Sequence, residues 1–351
     1  MIGLICYDLV ITTQEEVIMK NANANLMKEI NLNNVRQVMK RAGTATKPQL
    51  AMLTQLSVVT VNSLVKELLE SKEIIEDQTA ASGGGRPALT YRFNYDHSQA
   101  LVIYLKENQG QRVASAAVIN LENRIVSQNE YVLPAFEQKY FAEIIRGFLI
   151  ACPQVKVIGM GIPGQIVNGR IVVASHHELQ GAPLIEELEQ QFQLPVMVEN
   201  DVNAAVFGYQ ASRGEADGQC ITGIYFPKKY PPGMGIYLNG NIIRGKNGMA
   251  GEIKFLPQRI DWYAEMKEEV LLEAACRIIQ SVNAVLAPDQ IVIYQEMTGA
   301  ERWNHFWNGY QSQEPMPHYP EVILCNTFQA DYEAGMRMLT LQKLDPVPVQ
   351  F

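Results

Sequence analysis

Paired cysteines are missing from this chain. The five it has, Cys6, Cys152, Cys220, Cys276 and Cys325, stand far apart. That spacing excludes a disulfide framework and a cysteine-based zinc module, and it favours a reducing, cytoplasmic setting. Histidines are as few, and the adjacent His176 and His177 have no third ligand at helical spacing. They read as polar loop residues, and no metal is expected. No apolar run reaches the length of a membrane span, so no membrane partner is expected. Residues 1–13 are apolar but include Asp8 and lack both a basic n-region and a small-residue cleavage site, which argues against a secretory signal. Because this stretch is unlike the rest of the chain, residues 1–24 are set apart as a leader, and the start of translation stays open between Met1, Met19 and Met27. Internal repeats and low-complexity segments are also lacking.

What is present is ordinary for a folded protein. The chain has 351 residues, 47% hydrophobic and 19% charged, enough for two or three domains with real cores. Its net charge of −8 is unevenly spread: between Lys20 and Arg92 ten basic residues face six acidic ones, a local balance of +4. A basic head on an acidic body suits a DNA-binding segment joined to a small-molecule-binding one.

Leu32, Val35, Val38 and Met39 fall on one helical face that ends at Ala42-Gly43. Thr46-Lys47-Pro48-Gln49 is a capping box with proline in the first turn, opening a short helix through Leu50 and Leu53. After a break near Gln55-Leu56, Ser57 caps a third helix with apolar positions Val61, Leu64, Val65, Leu68 and Leu69. Thr60, Asn62, Ser63 and Lys66 then point to solvent. This is helix-turn-helix spacing, in which the third helix would lie in the major groove. Val58, near its start, has no obvious core to fill and suits a thymine methyl group. A plain three-helix bundle is the alternative. Next, Ser82-Gly83-Gly84-Gly85-Arg86-Pro87 leads into the alternating run Leu89 to Phe93. Two strands around that tip would make a wing, with Arg86 reaching a minor groove; a flexible linker is the other reading.

From Leu101 three strand-like runs, Leu101–Leu105, Val113–Ile119 and Ile125–Tyr131, precede a helix around Phe141–Leu149 and a buried strand, Val155–Met160. Farther on, Val196–Val198 stops at Glu199, Asn200 and Asp201 before a small-residue helix takes over. A carboxylate beside an amide at the carboxyl end of a strand suits the fixing of neighbouring hydroxyls. A simple helix cap explains the same residues. Trp303, Trp307 and Tyr310 recur near helical spacing and read as core or interface.

A helix-turn-helix followed by GGGRP resembles the head of the ROK family, which comprises bacterial repressors, open reading frames and sugar kinases. The order Gly159-Met160-Gly161-Ile162-Pro163-Gly164, Gly169-Arg170-Ile171, Glu199-Asn200-Asp201-Val202-Asn203-Ala204 and Gly248-Met249-Ala250-Gly251-Glu252 is similar to the body of that family. The resemblance implies an α/β fold with a winged helix-turn-helix over 25–95 and a two-lobed actin-like, ribonuclease H-like ROK domain. Its lobes would span 98–210 and 211–330, with a C-terminal helix within 331–351 packing on the first lobe. It implies a transcription regulator, most simply a repressor of carbohydrate genes, with a double-stranded DNA operator and a sugar or sugar phosphate as partners, assembled as a homodimer or tetramer. The expected ligand residues are Gly164, Asn200, Asp201 and Glu252. In the family's kinases the residue matching Asp201 is the catalytic base.

The departures from the family bear on catalysis. No DxGGT-type turn occurs at Tyr104 to Gly110. Pro227, Pro231 and Pro232 stand where a second phosphate loop needs backbone amides, and Tyr294-Gln295-Glu296 replaces the family's triple glycine near the adenosine. With these elements gone, no enzymatic activity, cofactor or catalytic residue is expected. Phe255 occupies the position of the family's zinc histidine, and no cysteine cluster comes after it, Cys276 being alone in an amphipathic helix that includes Val270 and Leu271. A sugar kinase and a regulator with a decayed effector pocket are the alternatives.

Overall fold

The structure, a computed structural model, describes residues 25–77, 89–108, 110–167, 170–174, 179–181, 183–214, 218–258, 260–264, 266–295 and 298–344. They form two compact units, one of residues up to His97 and the other Ser98–Leu344.

The first unit opens with helix α1, residues 25–42, which stops at Gly43, where φ is +70°. Then come β1 (Thr44–Thr46), α2 (Lys47–Thr54), α3 (Val58–Glu70), β2 (Ile74–Glu76) and β3 (Thr90–Phe93). The capping box is complete: the Gln49 amide donates to the Thr46 hydroxyl, and the Gln49 side chain receives the Thr46 amide at 2.8 Å. Ser57 caps α3 by accepting from the Thr60 amide at 3.1 Å. Leu32, Val35, Met39, Leu50, Val61, Leu64 and Leu68 are buried. The strands form one antiparallel sheet in the order β1-β3-β2. β1 is a strand that hydrophobic pattern did not reveal, because three residues are too few to show a period. Arg36 on α1 holds the turn after α3 through Glu73, Nε to Oε2 at 2.5 Å and Nη2 to Oε1 at 2.8 Å.

In the second unit the first sheet is built from β4 (Gln99–Asn108), β5 (Gln111–Asn120), β6 (Ile125–Leu133) and β7 (Val155–Ile162). After a ribbon of β8 (Gly164–Val167) and β9 (Arg170–Ala174), β10 (Val196–Asn200) completes it, with helices α4 (Gln138–Ala151), α5 (Leu184–Phe192) and α6 (Asp201–Arg213). The second sheet uses β11 (Cys220–Tyr225), β12 (Gly233–Leu238), β13 (Asn241–Ile242), β14 (Gln290–Tyr294) and β15 (Glu321–Cys325), with α7 (Glu268–Leu286), α8 (Ala300–Gln313) and α9 (Phe328–Leu341).

The two sheets share one topology. Their orders are β10-β7-β4-β5-β6 and β13-β12-β11-β14-β15. Each begins with an antiparallel three-stranded meander and adds two parallel strands beside the first. A structural duplication is therefore present although the sequence shows no repeat. Three apolar cores result. One packs the first sheet against α4 and α5, and one packs the second sheet against α7 and α8, where Trp303 and Trp307 are buried. The third lies between the sheets around α6 and α9. Those two helices touch backbone to backbone: a Cβ on Gly335 would lie 1.8 Å from the Ala204 carbonyl, and one on Gly208 1.9 Å from that of Asp331. Val270 departs from the expected apolar face of α7 and is exposed, since the helix buries Leu271, Leu272 and Ala275 instead.

Candidate functional site

The parallel strand β10 delivers Asn200 and Asp201 to the edge of the first sheet, where chain direction places the start of α6 beside the end of β7. Asn200 works in two directions at once. Its Oδ1 caps α6, accepting from the amides of Val202 at 2.9 Å and Asn203 at 3.1 Å. Its Nδ2 donates to the Gly164 carbonyl at 3.0 Å and to Asp201 Oδ1 at 2.9 Å. The cap and the site are thus one arrangement. Both side-chain hydrogen bonds to Asp201 fall on Oδ1, the second coming from the Val202 amide at 3.0 Å. Burial pushes the Asp201 carboxyl up to about 7, and the charge of Glu252 adds to that, against the pull of its hydrogen bonds.

Glu252 arrives from the second sheet. Gly251 lets the chain turn there with φ at +88°, and a Cβ at this position would meet the Met234 carbonyl at 1.9 Å; the Gly251 carbonyl in turn receives the Met234 amide at 3.1 Å. Both the backbone conformation and the close approach require glycine. Gln165 on β8 ties the same segment down by donating to the Asn247 carbonyl at 3.3 Å. Beneath the floor, Arg244 reaches the buried Glu199, Nε to Oε2 at 3.0 Å, while Asn203 Nδ2 donates to Glu199 Oε1 at 3.0 Å. Glu199 is thereby occupied in holding β10 to the second sheet.

Gly164, Asn200, Asp201 and Glu252 line one cleft of about 250 Å³. The cleft is also lined by Tyr230 and Pro231 and by residues that the motifs did not single out, Tyr225, Phe328 and Tyr332. Tyr225 and Phe328 stack with centroids 3.8 Å apart, and Phe328 continues to Tyr332 at 6.1 Å. No local pattern marks Phe328 and Tyr332 as site residues, because they join it only when α9 folds back between the sheets. The β4–β5 ladder runs out to Asn108 opposite Gln111. Near its end Glu107 receives Lys229 at 2.7 Å and the Tyr230 hydroxyl at 3.1 Å. Phe255 is 67% exposed and does not line the cleft. Among the described residues no group of three His, Cys, Asp or Glu side chains is placed to hold a metal ion.

In the first unit, Val58, Asn62, Ser63 and Lys66 lie on the exposed face of α3. Thr60, on the same helix, is partly exposed, and its hydroxyl lies 2.8 Å from Ser57 Oγ at the cap. Arg86, like the rest of Ser82–Pro87 and His176 and His177, lies outside the described residues. No helix among the described residues is long and apolar enough to cross a membrane.

Two matched sheets enclosing a cleft, with a carboxylate and an amide at a strand end, define a two-lobed α/β body. Residues 108–257 match the model of the ROK family. It is 25% identical over 241 residues to the N-acetylglucosamine repressor of Escherichia coli O157:H7, covering 66% of this chain and 58% of that one. Against the xylose repressor of Bacillus subtilis (strain 168) it is 24% identical over 241 residues, covering 66% and 61%. The chain thus spans about three fifths of the length of these curated relatives. Among solved structures, a ROK family transcriptional regulator, a homologue of the E. coli MLC protein, superposes with a TM-score of 0.58 at 16% identity, covering 90% of this chain and 99% of that one. The ROK hexokinase of Thermus thermophilus gives 0.53 at 17%, covering 70% and 99%.

Proposed function

We propose that this chain is a cytoplasmic DNA-binding transcription regulator, a repressor of carbohydrate genes, whose ROK body answers to a sugar. The observation that carries this reading is the convergence of Gly164, Asn200, Asp201 and Glu252 on one cleft that is also lined by aromatic and proline residues. Hydroxyl groups of a sugar would donate to the two carboxylates. The first unit would act as a winged helix-turn-helix, with the Val58, Asn62, Ser63 and Lys66 face of α3 in the major groove and Arg86 beside it. The reading gains support from the shared fold, which extends over 90% of the chain with the regulator and 70% with the hexokinase. A homodimer would set two heads on a two-fold-related operator, and sugar binding would change their spacing. The test is a mobility shift with the full chain at physiological salt. Preference for the DNA upstream of its own or a neighbouring sugar operon over random DNA supports the proposal; equal affinity for both rejects it.

One observation favours a second reading, a sugar kinase. A carboxyl pushed up to about 7 by burial has the basicity of a general base. Against it, the cleft is lined by Glu107 and by Pro227, Pro231 and Pro232, which offer a phosphate neither positive charge nor amide donors. ADP release with a panel of hexoses, abolished by Asp201→Asn, would establish the kinase.

A further inference from the structure

The cleft is not uniform along its length, and its neighbours grade in the same sense. Beside Asn200 and Glu252 it adjoins a smaller cavity of about 140 Å³ that shares Gly164, Gln165, Asn200, Gly233 and Glu252 with it and adds Glu199, Asn203 and Arg244. Beside the β11–β12 connector it adjoins one of about 340 Å³, sharing Pro227, Tyr230 and Pro232 and adding Phe226, Trp262, Met266 and Leu271. One end is therefore built of hydroxyl-binding groups and the other of rings and prolines. Lys228 and Glu268 give the apolar end one charge of each sign.

The same region is poorly made for phosphate. Three carboxylates, Glu107, Asp201 and Glu252, line the cleft. Its lysines already face carboxylates: Lys106 is 2.6 Å from Glu130, and Lys254 is 3.0 Å from Glu252. Lys229, next to the cleft-lining Tyr230, is 2.7 Å from Glu107. Pro227, Pro231 and Pro232 supply no amide hydrogens. A charged group on the ligand would meet like charge here, whereas an apolar ring would meet Pro231 and the exposed rim of the stacked Tyr225–Phe328 pair.

We propose that the ligand is a glycoside carrying an uncharged apolar aglycone, with its sugar ring at Asn200, Asp201 and Glu252 and its aglycone against Phe328, Pro231 and Tyr225. This rests on the sugar reading of the cleft. Sugar phosphates are poor ligands on this arrangement.

Calorimetry on the full chain decides it, using for each of several sugars the free hexose or pentose, its methyl glycoside, its phenyl glycoside and its phosphate. The phenyl glycoside of the accepted sugar is expected to bind at least about tenfold more tightly than the methyl glycoside, about 1.4 kcal/mol, and the phosphate no more tightly than the free sugar. Phe328→Leu and, on the connector, Pro231→Ser should each shrink the gap between phenyl and methyl glycosides. Asp201→Asn should weaken both glycosides together. Equal affinity of the two glycosides, or tighter binding of the phosphate, overturns the aglycone assignment while the sugar reading stands. Absence of binding by every compound overturns both.

Discussion

Glu107 and Lys229 clasp the two sheets of the body across the mouth of the cleft. The Lys229 ammonium lies 2.7 Å from Glu107 Oε1, and the Tyr230 hydroxyl donates to Oε2 at 3.1 Å. Glu107→Gln should speed amide hydrogen exchange in the 226–232 connector, with little change at α7, and high salt should do the same to the wild type. Unchanged exchange there would show that the clasp does not hold the connector.

Asp201 gives the cleft a pH dependence with a definite sign. Burial holds its carboxyl up at about 7, above its value in an unfolded chain. Its ionisation therefore costs stability as pH rises from about 4, with the full cost reached above about 7. Ligand hydroxyls prefer the ionised form, so sugar affinity should rise through pH 7 as stability falls. In Asp201→Asn both slopes should flatten, and the melting temperature above pH 7 should exceed that of the wild type. Thermal melts and calorimetry across pH 5–8 check both effects.

Gly335 and Gly208 set the distance between α6 and α9. Gly335→Ala forces a methyl group onto the Ala204 carbonyl, where a Cβ has only 1.8 Å. The expected cost is about 1–3 kcal/mol or more, a fall in melting temperature of several degrees for a body of this size. Scanning calorimetry measures it. Since α9 carries Phe328 and Tyr332 into the cleft, ligand affinity should fall with it.

The Arg36–Glu73 pair makes the opposite pH prediction for the first unit. Burial works to raise the Glu73 carboxyl, but the hydrogen bond and charge of Arg36 outweigh it and hold the group below its usual value. Its contribution is therefore present above about pH 4.3 and is lost as pH falls through the depressed value. Glu73→Gln should loosen α1, read as faster exchange of its amides, and should remove this acid sensitivity.

Much of the site was legible because its chemistry is local. Thr46 and Gln49 declare a helix start within four residues, and Asn200 and Asp201 declare a strand-to-helix junction side by side. The motif around Glu252 pointed to the same ligand, and folding brings it into the same cleft. The aromatic part of the lining could not be read, since Phe328 and Tyr332 look like ordinary apolar positions of an amphipathic helix until α9 returns between the sheets. The Glu107–Lys229 and Glu199–Arg244 pairs were hidden for the same reason: charged residues far apart in sequence carry no sign of their partners.

The most direct test is fluorescence anisotropy of the full chain on DNA from upstream of its own gene, titrated with and without the tightest-binding glycoside. The expected result is tight, sequence-selective binding that the glycoside shifts by at least about fivefold, with the shift abolished by Asp201→Asn while DNA affinity persists. Selective DNA binding that no sugar or glycoside moves, or a glycoside effect untouched by Asp201→Asn, would contradict the assignment of this cleft as the effector site.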